Sequence, residues 1–152
     1  MPTERPLGYS LEAMNIRTQN GKQYVLCAWR QRFVRLTPEE LVRQTTLQLL
    51  VDEFAYPHNL IAVEVPITVV GTQKRCDAIV YNQQMQPLMI IEFKAPYVAL
   101  TQEVLDQAVV YNHEVNVPFL MLCNGMQSMV VRCQDSQHYF LDSIPLYAEL
   151  IG

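Results

Sequence analysis

The chain has 152 residues, half of them apolar, which suits one domain with one sizeable core. Its formal charge of -4 is unusual for a protein that grips nucleic acid unaided, because neutralisation of phosphates by Lys and Arg supplies most non-specific affinity. No apolar run approaches the roughly 20 residues of a membrane-spanning helix, and the N-terminus, with Glu4 and Glu12, lacks the pattern of a signal peptide. A cytoplasmic protein with no membrane partner is the expectation.

The cations are unevenly placed. Arg17, Lys22, Arg30, Arg32, Arg35, Arg43, Lys74, Arg75 and Lys94 all precede residue 95, and only Arg132 follows. That pattern fits either a basic face or solvated side chains scattered around the surface. Cys27, Cys76, Cys123 and Cys133 are far apart, with no CxxC pair and no histidines at zinc-ligand spacing, and read as reduced, mostly buried thiols.

Residues 1–21 show no strong period beyond a weak helical stretch near 11–16 and are taken as an N-terminal arm, with 22–152 as a single domain. Residues 24–29 are apolar and β-prone, and 32–36 alternate polar with apolar, which predicts a hairpin across Arg30 and Gln31. A helix starts at Thr37-Pro38-Glu39-Glu40: Thr37 can cap, Pro38 suits the first turn, and Glu40 stands where a capping box needs an acid. Leu41, Val42, Thr45, Leu49 and Leu50 carry its apolar stripe until shortly before Pro57. Residues 60–67 read as a strand in which Pro66 marks an edge or an end, and 75–81 and 88–93 read as two more, joined by a polar turn. After Pro96, the spacing of Leu100, Val104, Gln107, Ala108 and Tyr111 predicts a helix of about four turns. Short strands follow at 119–123, 128–133 and 138–141, the first two separated by Asn124-Gly125. The order of elements is that of a mixed α/β domain.

Asp77 and Glu92 stand out because each lies at the end of an apolar strand, where an ionised carboxylate is costly unless it is paired or binds a cation. A turn centred near residues 84 and 85 brings Asp77 opposite Glu92, with β-carbons roughly 5 Å apart. Lys94 is two residues beyond Glu92 and projects from the same face. Such a cluster suits Mg²⁺, with Mn²⁺ as a substitute, because a hard cation takes oxygen ligands and keeps several waters. The ion lowers the pKa of bound water and stabilises charge on a phosphate, while Lys94 positions or helps deprotonate the water. Taken alone, the ExK tripeptide reads better as a surface ion-pair network in which Lys94 neutralises Glu92 and Asp77, because the tripeptide is common. Glu64 interrupts its apolar strand, but alternation places it on a solvated face.

Arg75-Cys76-Asp77-Ala78-Ile79-Val80 followed by Ile90-Ile91-Glu92-Phe93-Lys94-Ala95-Pro96 resembles the D…ExK core of PD-(D/E)XK nucleases. The nearest resemblance within that superfamily is to the N-terminal nuclease domain of type I restriction enzyme R subunits. Thr37-Pro38-Glu39-Glu40-Leu41-Val42-Arg43-Gln44, Gln107-Ala108-Val109-Val110-Tyr111-Asn112 and Val117-Pro118-Phe119-Leu120 with Asn124-Gly125 are similar to the same family, so the resemblance spans about residues 22–133. It implies a restriction-endonuclease-like core, a central mixed sheet flanked by helices, behind an N-terminal β-hairpin. It also implies that Asp77, Glu92 and Glu40 are metal ligands, with Glu39 as the competitor of Glu40, and that Lys94 is the catalytic lysine. Gln107 and Tyr111 match its QxxxY motif, and their spacing of four puts them on one helical face.

Two departures limit what carries over. The chain has no GxxxxGK[ST] phosphate loop, so ATP-driven translocation is not expected of it. Cys76 stands where the superfamily has a proline, which is no ligand. The expected function is a Mg²⁺-dependent DNA endonuclease domain, with DNA, restriction-modification subunits or a second copy of the chain as partners. The alternative is a catalytically silent domain of the same fold that docks on DNA or on such subunits, and a purely structural α/β domain is the remaining reading.

Overall fold

The computed structural model describes residues 14–69 and 71–152, so residues 11–13 of the weak helical stretch near 11–16 lie outside the described residues, and 14–16 are not helical but lead into a strand. The first elements are β1 (Ile16–Gln19), β2 (Lys22–Cys27) and β3 (Arg32–Arg35), an antiparallel sheet in the order β1-β2-β3. β2 and β3 are the expected hairpin. β1 makes the later part of the expected arm a strand, turned into β2 by Asn20 and Gly21 at φ 53° and 74°, the positive values that a two-residue hairpin turn requires. Four residues with only Ile16 partly buried leave too little apolar alternation to be seen in the sequence.

Helix α1 (Pro38–Phe54) begins as its sequence predicts: the Thr37 hydroxyl accepts the Glu40 backbone N–H at 3.1 Å, and Ala55 ends the helix in the left-handed region. Val42, Leu47 and Leu50 are fully buried beneath it. Arg43, Gln44 and Thr46 are buried as well, which blurs the apolar stripe and places polar atoms where only specific partners can satisfy them.

Six strands form the central sheet in chain order: β4 (Ile61–Val69), β5 (Thr72–Tyr81), β6 (Pro87–Phe93), β7 (Phe119–Cys123), β8 (Ser128–Gln134) and β9 (Gln137–Phe140). Every neighbouring pair is antiparallel except β6 and β7, which are parallel and joined through α2 (Gln102–Val115). A crossover of this kind is what parallel pairing demands. Pro66 sits on the edge strand β4, where a missing ladder donor is tolerated. A short α3 (Tyr147–Ile151), without a counterpart in the sequence reading, ends the chain. No helix of the described residues is long and apolar enough to cross a membrane.

The sheet lies between two helical layers. On one side Ala78, Val80, Met89, Ile91, Phe93 and Met121 pack with the α1 residues Val42, Leu47 and Leu50 and with Leu150 of α3. On the other, Ile79, Ile90 and Leu120 meet Ala108, Val109 and Tyr111 of α2. One irregularity crosses this division. Ile61 and Val63 of β4 pack on the α1 side, yet Val65 and Ile67, of the same parity, pack on the α2 side, and Cys76 does likewise relative to Ala78. Between them Glu64 has a φ of 55°, and it forms no rung with Asp77 although Val63 pairs with Ala78 and Val65 with Cys76. A left-handed residue inside a strand rotates the pleat, and for a side chain larger than glycine it is strained.

Leu47 is the test of the α1 contact. Leu47→Ala is expected to cost about 2–5 kcal/mol in urea denaturation, the usual range for a fully buried leucine; a loss below about 1 kcal/mol would mean that α1 does not pack on the sheet as described.

Candidate active site

The strand pairing decides which charges meet. Ala78 lies opposite Ile91 in the β5–β6 ladder, and the same register continued by one residue sets Asp77 beside Glu92. At that point the ladder opens and side chains replace backbone pairing. Asp77 Oδ2 accepts the Phe93 backbone N–H at 2.8 Å, while the Asp77 carbonyl accepts from Arg43 Nη1 at 3.0 Å.

Burial, then the charge of Asp77 and the hydrogen bond to it, push the Glu92 carboxyl up to about 8, against the opposing pull of Lys94 and Arg43. Two carboxylates in one small, half-dry volume do not both ionise at neutral pH, so the pair holds a proton.

Glu40 is turned inward and buried, whereas Glu39 is exposed, which separates the two acids that the sequence left open. Its carboxylate is held by partners of its own: Glu40 Oε2 accepts from Gln44 Nε2 at 2.9 Å and lies 2.6 Å from Arg30 Nη2 and 3.5 Å from Arg43 Nε. The two arginine contacts are close charge contacts rather than aligned hydrogen bonds. Arg43 then reaches on to Glu64, with Nη1 2.7 Å from Oε1, and Arg75 Nη1 stands 3.5 Å from the other oxygen of Glu64. Glu40 is thereby linked to Asp77 through Arg43, and the two ion pairs hold it apart from the Asp77–Glu92 pair.

Beside the carboxyl pair opens a cleft of about 270 Å³ whose polar lining is Lys74, Arg75, Glu92, Lys94, Gln107 and Tyr111. Lys94 follows directly on β6, its N–H donating to the Cys123 carbonyl at 2.8 Å, so the end of β7 fixes its place. Tyr111 Oη and Cys76 Sγ are 3.1 Å apart, and Lys74 Nζ lies 5.1 Å from the centre of the Tyr111 ring. Burial, and then Cys76, raise the Tyr111 hydroxyl far above its ordinary value and keep it a neutral hydrogen-bonding group. Gln107 is exposed at the mouth. The structure thus brings Glu92, Lys94, Gln107 and Tyr111 to one cleft, with Asp77 attached to it through Glu92.

The sequence reading did not single out Arg43, Glu64, Lys74 or Arg75 as site residues. For Glu64 a signal was present, an acid inside an apolar strand, but strict alternation pointed it to solvent. Its side chain is instead 27% exposed and ion-paired with Arg43, because the strand is kinked there.

Among the described residues no three His, Cys, Asp or Glu converge as a metal-binding group, so the expected trio of Asp77, Glu92 and Glu40 is assembled only as a pair. The pair still fits a divalent cation. Mg²⁺ is commonly held by one or two carboxylates with water completing its shell, and two carboxyl groups that coexist only by retaining a proton are a donor set that a cation relieves.

The Glu92 shift sets a pH signature. A carboxyl whose folded pKa lies near 8, above the 4.5 of an ordinary glutamate, binds its proton more tightly in the folded state. Stability is therefore highest below about 4.5 on this account, falls as pH rises toward about 8, and is flat beyond. Melting temperatures of wild type and Glu92→Gln across this range should diverge, the variant being relatively more stable at pH 8 and above; parallel curves would refute the buried proton.

Residues 38–145 match the family model described as type I restriction enzyme R protein N terminus. No curated protein matches the chain. Among solved structures, a fragment described as an HsdR subunit of a type I restriction enzyme from Vibrio vulnificus YJ016 aligns with a TM-score of 0.54 at 20% identity, over 69% of this chain and 23% of that one. A DrdV–DNA complex aligns with a TM-score of 0.47, also at 20% identity, over 76% of this chain and 11% of that one. The chain therefore spans only a small part of either, and the first likeness shows the α/β fold alone.

Proposed function

The chain belongs to the family of type I restriction enzyme R protein N termini, and from that premise we propose that it is a metal-dependent DNA endonuclease domain. One observation carries the reading: the strand register sets Asp77 beside Glu92 at the edge of a cleft that also presents Lys94, Lys74 and Arg75. Carboxylates beside cations, at the open end of a rigid sheet, suit a phosphodiester together with a divalent ion.

Asp77 and Glu92 are the residues that would hold Mg²⁺ or Mn²⁺. When bound, the ion lowers the pKa of a water it carries and stabilises negative charge developing on the phosphate. Each remaining role belongs to the chain. The Phe93 N–H fixes the orientation of Asp77. Glu92 would hold the ion in its ionised form. Lys94 holds positive charge toward the cleft, where it orients water and favours its ionised form, and Lys74 and Arg75 hold the phosphate backbone at its rim. Gln107 and Tyr111 line the wall as neutral hydrogen-bonding groups. Glu40 acts at one remove, by fixing the Arg43 that grips the Asp77 carbonyl.

Cleavage of plasmid and linear DNA with Mg²⁺ or Mn²⁺ tests the reading. Asp77→Ala, Glu92→Ala and Lys94→Ala, each at matched folding, should lose on the order of a hundredfold or more in rate, the scale on which loss of one preorganised electrostatic contact acts. A folded wild type that cuts nothing with either metal would turn the reading toward a docking domain that binds DNA or restriction subunits.

A second readout needs no turnover. Mg²⁺ should raise the wild-type melting temperature more at pH 8 than at pH 5, where protons compete for Glu92, and should do little for Glu92→Gln. An equal shift in wild type and variant would place the ion elsewhere.

A further inference from the structure

Between Glu12 and Glu39 the chain carries Arg17, Lys22, Arg30, Arg32 and Arg35 and no Asp or Glu, although its overall charge is -4. Nearly all of this stretch is the β1–β3 sheet, and the strand register sorts its side chains between two faces. Ile16, Val25 and Val34 form one cross-strand row, with Val25 buried, and Cys27 shares that inner face. Arg17, Tyr24 and Arg35 form the adjoining row and therefore point the other way. Lys22, Leu26 and Phe33 join them by alternation.

The outer face so defined is cationic and apolar at once. Arg17, Lys22 and Arg35 are exposed, Leu26 is 39% exposed, and Tyr24 and Phe33 are half-buried. The Arg17 guanidinium lies across the sheet, its Cζ 3.9 Å from the centre of the Phe33 ring. Arg30, on the loop, is committed to Cys27 and Glu40, and Arg32 has the parity of the inner face. Solvated antiparallel faces are ordinarily stabilised by cross-strand pairs of opposite charge. Here two arginines flank one tyrosine and, among the described residues, no carboxylate pairs with either.

A polyanion supplies the missing charge, and the aromatic groups narrow its kind. Rings and guanidinium planes on a flat sheet stack on unpaired bases, while the cations on either side of Tyr24 take the flanking phosphates. A duplex hides its base faces and offers nothing for Tyr24, Leu26 or Phe33 to cover. We propose that the outer face of the β1–β3 sheet is a binding platform for single-stranded nucleic acid. It shares no residue with the lining of the carboxylate cleft, and it requires neither metal nor cleavage.

The test is fluorescence anisotropy with labelled oligo-dT and oligo-U of about 12 nucleotides, within the usual site size of such platforms, and with a duplex of equal length, all in chelator so that nothing is cut. Single strands should bind more tightly than the duplex. Tyr24→Leu, which keeps apolar bulk and removes the ring, should weaken single-strand binding roughly five- to 150-fold. Arg17→Gln, Lys22→Gln and Arg35→Gln together should lower the log–log salt slope by about 2, near 0.7 for each lost phosphate contact. Binding of dT without U identifies DNA, and binding of both a platform indifferent to the sugar. An unchanged slope in the folded triple variant, a duplex preference insensitive to Tyr24→Leu, or binding of phosphatidylserine vesicles without binding of either oligonucleotide would overturn the proposal. Because no cleavage is read, an inactive cleft would leave this result intact.

Discussion

A guanidinium on the buried face of a helix must be met by acceptors on every side, and Arg43, 7% exposed, draws them from three elements. Glu40 comes from its own helix one turn back, Glu64 from β4, and a backbone carbonyl from Asp77 on β5. That carbonyl is free only because the β4–β5 ladder skips the rung between Glu64 and Asp77. The left-handed conformation of Glu64, the docking of α1 and the presentation of Asp77 are thus three aspects of one buried contact. Replacing the arginine would strip buried Glu40 of one of its two cations and leave the Asp77 carbonyl without its donor, a loss larger than that of a surface ion pair.

The same contact bears on why the Glu92 carboxyl is pushed up. Arg43 pulls on Glu92, but its charge is already divided between Glu40 and Glu64, and Lys94 stands at the open side of the cleft. Neither outweighs burial and the neighbouring Asp77. Glu40 holds the same arginine from its buried position on α1, so Arg43 is shared among several acids.

Most of this was legible in the sequence where one local rule acts alone. The Thr37 cap, the edge position of Pro66 and the limits of β7 follow from capping chemistry, a missing donor and an unbroken apolar run. The meeting of Asp77 with Glu92 follows from counting outward from a polar turn, and the observed register agrees. β1 and α3 escaped because four or five largely exposed residues leave no period to detect. Glu64 was sent to the wrong face because alternation assumes an unbroken pleat, and a glutamate gives no hint of a positive φ. Glu40 fitted both a capping box and an inward acid; the docking of α1 beside Arg30 of the β2–β3 loop decides between them, and a local pattern does not carry that packing.

The overall charge is the least informative quantity of all, and the reason is range. At physiological salt, exposed charges are screened over about 8 Å, so a bound phosphate senses the charges around it and little of the total. The cations of the first two-thirds of the chain separate accordingly. Arg30 and Arg43 are consumed by buried acids, Lys74, Arg75 and Lys94 rim the cleft, and Arg17, Lys22 and Arg35 occupy one sheet face with no acid among them. A sequence count treats these groups as equal, yet the first is held in ion pairs, the second is tempered by Glu92, and the third has no carboxylate partner among the described residues. An acidic chain can for that reason carry a surface made for a polyanion, and where its acids stand decides the matter more than how many there are.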